Sequence, residues 1–400
     1  MNRKDFLQRS LFATAGTMLI PNFLKAYEQN RLGGVGKTSD KILVVVQLSG
    51  GNDGLNTVVP YRNDLYYQAR PRIGIAKEKT LRITDEIGLN PALEKLRSLY
   101  DDGLVTIVNN VGYPNPDRSH FRSMDIWHTA SESSEYLNSG WIGRYLDAQC
   151  AGAACTPYDA LEVDDTLSLA LKGNKVKGIS LLNPQKLYQE TQGKFMENLT
   201  KTNHDASDNV HYLYKTLSET VSSAAYIYDK AKIQRSAAAY PTNELGQRLK
   251  TVAELITSGV STNVYYVSLS GFDTHVNQVP QQERLLKQYA EAMHAFVTDL
   301  KANGKMNDVM VMTFSEFGRR VKQNASGGTD HGTANNVFLI GGGVKNSSVF
   351  NQAPNLTDLD DGDLKYSVDF RNLYATLLNK WLGADDVAIL GRKFEMMPFV

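Results

Sequence analysis

Cysteine, histidine and surplus charge are all scarce in this sequence. Two cysteines among 400 residues cannot build a disulfide framework or a four-cysteine zinc site. The 43 basic and 43 acidic side chains cancel, which excludes binding dominated by phosphate neutralisation and argues against a nucleic-acid partner. No apolar run is long and uninterrupted enough for a bilayer span. There is no internal repeat and no low-complexity tract. Seven histidines are few enough for each to be followed. What remains is a globular balance, 42% hydrophobic and 22% charged, in a chain long enough to bury a large core.

The first 28 residues read as an export signal. Arg3 and Lys4 give a basic start, and a weakly apolar stretch runs from Leu11 to Leu24. The pattern is twin-arginine-like, with Lys4 where the second arginine usually stands. Residues 29–40 read as a linker. The expected destination is the periplasm, with no stable membrane span after export. In that compartment Cys150 and Cys155 are free to pair. Gly33-Gly34-Val35-Gly36-Lys37-Thr38 imitates part of a phosphate-binding loop, but Arg31 stands where that loop needs glycine. The segment also precedes a strand instead of following one, so its N–H groups are not aimed by a helix start.

Residues 41–400 read as one α/β domain. Lys41–Leu48 and Leu104–Asn110 are β-branched or apolar runs of the kind buried on both faces of a parallel sheet. Asn263–Leu269, Asp308–Thr313 and Asn336–Ile340 are three more. Between them lie expected helices at Asn90–Tyr100, from near Arg118, at Gln281–Ala302 and at Asp369–Leu382. Short strands are expected over residues 156–198. Residues 205–258 are expected to be helical, with a break at Tyr240-Pro241. This alternation predicts a three-layer sandwich around a mostly parallel central sheet. The largely helical insertion at about residues 156–258 is expected to cover the site.

In such folds, ligands sit beyond the carboxyl ends of the strands. Asp53 follows the first strand, and Ser119 and His120 follow the second. Asp273 and His275 follow the third, and Glu316 the fourth. Asp330 and His331 precede the fifth. Each has a structural alternative: a turn for Asp53, a helix start for Glu316, a packing role for a single histidine. Their recurrence at one sheet edge points to a metal centre. Oxygen and nitrogen donors without thiolates suit zinc, manganese, magnesium or calcium. Asp273, His275 and His331 make a two-histidine, one-carboxylate set that leaves an open position. Asp53 and Glu316 offer an all-oxygen set for a harder second ion. One or two divalent ions are therefore expected.

Several segments together resemble the bacterial exported domain of unknown function 1501 family. They are Gln47–Asn56, Asp117–Phe121, Gly140–Arg144, Gly271–His275, Thr313–Arg319 and Gly328–Gly332. The family is similar in arrangement to the alkaline phosphatase and sulfatase superfamily. That likeness implies an α/β sandwich with metal ions at the strand ends. It also implies a ligand role for Asp53, Asp273, His275 and His331, and a nucleophile at Ser119, with Ser123 a poorer match. The superfamily usually has an Asp-His pair after the fourth strand, whereas Phe317 follows Glu316 here. Asp330 is a candidate for the missing ligand.

The expected activity is hydrolysis of a phosphate or sulfate ester, on a small anionic molecule or a sulfated or phosphorylated glycan. Ser119 is the expected nucleophile. Arg118, Arg122 or Arg144 are candidates to hold substrate oxygens, and His120 or His128 to give a proton to the leaving group. The rival expectation is a non-catalytic exported protein of the same fold that binds a metal or a glycan.

Overall fold

The central strand, β1 (Ile42–Ser49), is buried along nearly its whole length. Its side chains alternate as strand geometry demands. Val44, Val46 and Leu48 enter one hydrophobic cluster, and Leu43 and Val45 enter another. Two cores therefore lie on opposite faces of one sheet. This is the computed structural model of the chain, and it describes residues 39–150, 156–193, 208–345 and 347–399. The export signal, most of the linker and Cys155 lie outside the described residues. Cys150 is disulfide-bonded.

Seven further strands join β1: β2 (Val105–Gly112), β3 (Ala160–Glu162), β4 (Ile179–Ser180), β5 (Val264–Ser270), β6 (Val309–Phe314), β7 (Asn335–Gly341) and β8 (Ser348–Val349). Their spatial order is β8-β2-β7-β6-β1-β5-β3-β4, and Val368–Asp369 also pairs with β2. β1 runs parallel to β5 and β6, with Val46 opposite Val267 and Thr313. Among the described strands of this sheet, only β7 runs against its neighbours, β2 and β6. The carboxyl ends of β1, β2, β5 and β6 thus share one edge with the amino end of β7.

Helices cover both faces. α1 (Glu94–Asp101), α4 (Glu244–Thr257) and α5 (Gln278–Ala302) pack in the first cluster. α2 (His120–Thr129), α3 (Trp141–Gln149) and α6 (Phe370–Thr376) pack in the second. The starts are capped as their residues predict: Asn243 accepts from the Gly246 N–H, and Asp369 from that of Arg371. Such a cap contributes about 1 kcal/mol. The break at Tyr240-Pro241 falls between the helix Asp208–Ala231 and α4.

The described part of residues 156–258 is built into the sandwich. It adds β3 and β4 to the sheet beside β5, and α4 to one helical layer. None of its described residues is among the groups of the site below.

Candidate metal centre

The site begins with the anchoring of α2. Trp127 is buried and stacked between Phe314 and Phe370, with ring centroids 4.6 and 4.3 Å away. Its indole N–H donates to the Glu316 carbonyl at 2.9 Å. Such ring pairs contribute about 0.5–1.5 kcal/mol beyond the area they bury. This anchor fixes α2 against the end of β6, so His120, at the first turn of the helix, faces Glu316. The His120 Nδ1 lies 2.8 Å from Glu316 Oε1. A carboxylate oxygen only accepts, so Nδ1 carries the proton and Nε2 is turned the other way.

The same logic sets two more imidazoles. His331 Nδ1 lies 2.7 Å from the Arg118 carbonyl, which also only accepts. His275 Nδ1 lies 3.1 Å from Asp330 Oδ1. All three Nε2 atoms converge on Asp273 Oδ1, at 3.4 Å from His120, 3.0 Å from His275 and 3.2 Å from His331. The His275 and His331 Nε2 atoms are themselves 3.0 Å apart. Two neutral acceptor nitrogens so close repel unless a proton or a cation lies between them. The His120 Nε2 is buried without a hydrogen-bond partner.

Arg319 holds the carboxylate in place. Its guanidinium is fully buried, with Nη2 2.7 Å from Asp273 Oδ1. It also donates to the carbonyls of Gly50, Gly51, Phe272 and Thr329. One side chain therefore ties the loops after β1 and β5 to the loop before β7. Those loops meet closely: a Cβ on Gly50, at φ 116°, would fall 2.5 Å from the Asp273 nitrogen. Only glycine tolerates both that conformation and that contact.

Electrostatics follow from these contacts. Burial works against the Asp273 charge, but the hydrogen bond and positive charge of Arg319 outweigh it and hold its pKa below the usual carboxylate range. The bond to Glu316 raises the His120 pKa. Burial lowers that of His331. Bonds from Asn324 and His275 lower that of Asp330.

The residues fit a divalent cation. Within the described residues, ligand atoms of His120, Asp273 and His331 lie within 4.8 Å of one another. His275 Nε2 adds a fourth donor beside them. Each imidazole has its Nδ1 fixed by an oxygen, the usual support of a metal-binding histidine. Among the expected ligands, Asp273, His275 and His331 come together. Asp330 supports His275 from behind. His120, expected as a proton donor, takes a place in the donor set.

Asp53 and Glu316 do not meet as a second set. Asp53 is buried in an ion pair with Arg70 at 2.6 Å and is also bonded by Gln278. Glu316 accepts from His120 and, at 2.8 Å, from the Gly50 N–H. Neither carboxylate is in the cluster of possible ligand atoms. The physical reason is competition: both are already held by donors of the protein.

Ser119 caps α2 in position but makes no capping bond with its side chain. It is exposed, between Arg118, whose carbonyl bonds His331, and His120. The three arginines are engaged elsewhere. Arg118 pairs with Asp361 and Asp363. Arg122 donates to carbonyls of residues 132, 133 and 135. Arg144 donates to those of Thr129, Ser139 and Ile389. His128 is held by Tyr266 and Gln47 inside the sandwich, and is not in the cluster of possible ligand atoms. Ser123 is buried and bonded to the Asp117 carbonyl. The residue that sequence reasoning passed over is Arg319. It stands three positions after Glu316, at the same strand end, and that position was its only signal.

Among the described residues, no helix is long and apolar enough to cross a membrane. No curated protein matches the chain. Solved structures match across most of it at low identity. One is the PsFucS1 sulfatase from Pseudoalteromonas sp., at 11% identity, covering 94% of this chain and 75% of that one, with a TM-score of 0.41. Another is the C-terminal periplasmic domain of EcEptC from Escherichia coli, at 11%, covering 90% of each chain, TM-score 0.39. A third is the phosphonate monoester hydrolase SpPMH from Silicibacter pomeroyi, at 9%, covering 89% and 77%, TM-score 0.35. The model of the family described as "Protein of unknown function (DUF1501)" matches residues 105–395, and the chain belongs to that family.

Proposed function

We propose that the chain is an exported, metal-dependent hydrolase of phosphate or sulfate esters. The observation that carries this reading is the convergence of three Nε2 atoms on Asp273 at the sheet edge where α2 starts, with the exposed Ser119 immediately before His120 in the chain. His120, Asp273, His275 and His331 would hold one divalent ion, and their nitrogen-rich set suits zinc. When bound, the ion would draw charge from a substrate oxygen.

The protein's own groups do the rest. The Ser119 oxygen attacks phosphorus or sulfur, and its proton passes to the water to which the residue is exposed. The new bond forms as the bond to the leaving oxygen breaks, and that oxygen takes a proton from water. A second attack, by water, releases phosphate or sulfate and restores the hydroxyl. The positive end of the α2 dipole favours the negative charge gathered there. Glu316, Asp330 and the Arg118 carbonyl keep each imidazole in the required tautomer. The disulfide at Cys150 supports the exported location, since such bonds persist in oxidising compartments.

A second reading, a metal- or glycan-binding protein without turnover, is favoured by one observation: Asp53 is ion-paired with Arg70 and Glu316 accepts from His120 and the Gly50 N–H, so the two carboxylates do not come together as a second ligand set. The test is hydrolysis of a panel of aryl phosphates, aryl sulfates, phosphodiesters and phosphonates by the protein after incubation with zinc, manganese, magnesium or calcium. Turnover that falls by at least ~100-fold in Ser119→Ala supports the hydrolase. Turnover unchanged in that variant removes Ser119. No turnover on any ester favours the second reading.

A further inference from the structure

Two cavities line the carboxyl end of β2 on the far side of Phe317 from the candidate metal centre. The nearer, of about 240 Å³, starts at Phe317. The Phe317 ring packs on those of His120 and His331, with centroids 4.9 and 4.8 Å away. Tyr113, Pro116, Leu364 and the half-exposed Tyr366 make the other walls. Gly112 lets Tyr366 lie against the strand end, since a Cβ there would fall 2.8 Å from the tyrosine Cβ. Lys365 lines this cavity and also the next, of about 490 Å³. The two thus lie on either side of the Lys365 side chain, and the larger is of the size of small-molecule sites.

The larger cavity differs in chemistry. Gln352, Asn372 and Glu395 face it together with Phe350 and Met396. Neighbouring amides are committed to the fold. Asn351 exchanges bonds of 2.7 Å with the main chain of Asn109, and Asn355 accepts from Thr357. The side chains of Gln352 and Asn372 have no such engagement among the described residues. A carboxamide offers a donor and an acceptor side by side, which matches the adjacent hydroxyls of a sugar ring. Lys365 is paired with Asp358, so the cavity has no free cation to hold a second anionic group. Apolar ring and thioether faces beside neutral amides suit the C–H and O–H faces of a saccharide.

We infer that these two cavities form a saccharide-binding groove, holding neutral sugar units next to the group that reaches the metal centre. The inference depends on the ester-hydrolase reading only for what sits at the metal end. Saccharide binding itself needs no turnover.

The test is titration calorimetry of the metal-loaded protein with neutral tetrasaccharides built from glucose, galactose, mannose or N-acetylglucosamine. Companion variants are Gln352→Ala, Asn372→Ala and Tyr366→Ala, all at the surface of the groove. The expected result is saturable binding of at least one saccharide, weakened about tenfold or more by Gln352→Ala or Tyr366→Ala. Binding should persist after chelation of the metal and in Ser119→Ala. Binding of no saccharide, or binding that all three variants leave unchanged, would overturn the groove. Saccharide binding with no ester turnover would uphold the groove and reject the hydrolase. Turnover without saccharide binding would do the reverse.

Discussion

Two histidines on α2 show what separates a candidate ligand from a packing residue. His120 and His128 stand eight residues apart, at opposite ends of the helix and about 80° apart around it. His120 sits at the first turn with a carboxylate on one nitrogen and an unpartnered nitrogen on the other. His128 sits at the last turn, with Nε2 3.1 Å from the Tyr266 hydroxyl and 3.3 Å from Gln47 Oε1. Hydrogen bonding to Glu316 raises the pKa of the first. Burial pushes that of the second down to about 4, although a part of the residue reaches the surface. One helix thus presents the same side chain to two environments. The carboxylates at the sheet edge favour a charged or cation-bound ring, and the sandwich interior favours a neutral one.

Replacing each ring by alanine in turn separates the two roles. His120→Ala removes a donor, and the account predicts that metal affinity falls by at least ~100-fold while the metal-free protein unfolds at nearly its usual temperature. His128→Ala should do the opposite, keeping the metal and losing about 2 kcal/mol or more of stability. Equilibrium metal titration and thermal unfolding of each variant separate the cases. If both variants lose metal equally, the distinction fails.

The next effect is a pH dependence. The His128 pKa is lower in the folded chain than its ordinary 6.5, so the folded state binds fewer protons. The stability it contributes is present above pH 6.5 and is lost as the pH falls toward 4, to a total of at most about 3 kcal/mol. Urea unfolding of metal-free protein from pH 7 to pH 4 reads this loss, and His128→Gln should flatten that part of the curve. An unchanged slope in the variant would place the titration elsewhere.

Glu316→Gln sharpens the other half. The amide oxygen can still accept from His120 and Gly50, but the charge that supports the imidazole is gone. Metal affinity should weaken by about 10–100-fold, the usual cost of removing such support. The smallest effect on the metal belongs to Arg118→Ala. Its guanidinium pairs with the exposed Asp361 and the buried Asp363, while the contact to His331 comes from its backbone. Asp363 keeps Arg320, so stability should fall by about 1–3 kcal/mol, with metal content unaltered. A loss of metal in this variant would give the guanidinium a role that its contacts do not suggest.

Much of this arrangement is legible in the chain. Continuous apolar runs mark β1, β2, β5, β6 and β7, because strands buried on both faces cannot alternate with polar residues. Asp369 marks the start of α6. The recurrence of Asp, Glu and His after those strands marks the edge where the site lies. Other features are invisible locally. The reversed direction of β7 depends on how its connections cross the sheet. The pairing of Asp53 with Arg70 is settled only when residues 17 positions apart are folded together. The same holds for Arg319, whose charge reads as a surface residue in sequence and is fully buried in the fold. His120 and His128 are indistinguishable until α2 is anchored by Trp127, which decides which ring meets Glu316.

The central claim is that His120, Asp273, His275 and His331 form one metal centre. Its most direct test is elemental mass spectrometry of the purified mature protein after incubation with zinc, manganese or calcium, beside an Asp273→Ala/His331→Ala variant. The account predicts one equivalent of metal in the wild type and none in the variant. No metal retained by the wild type, or the same content in both proteins, would contradict it.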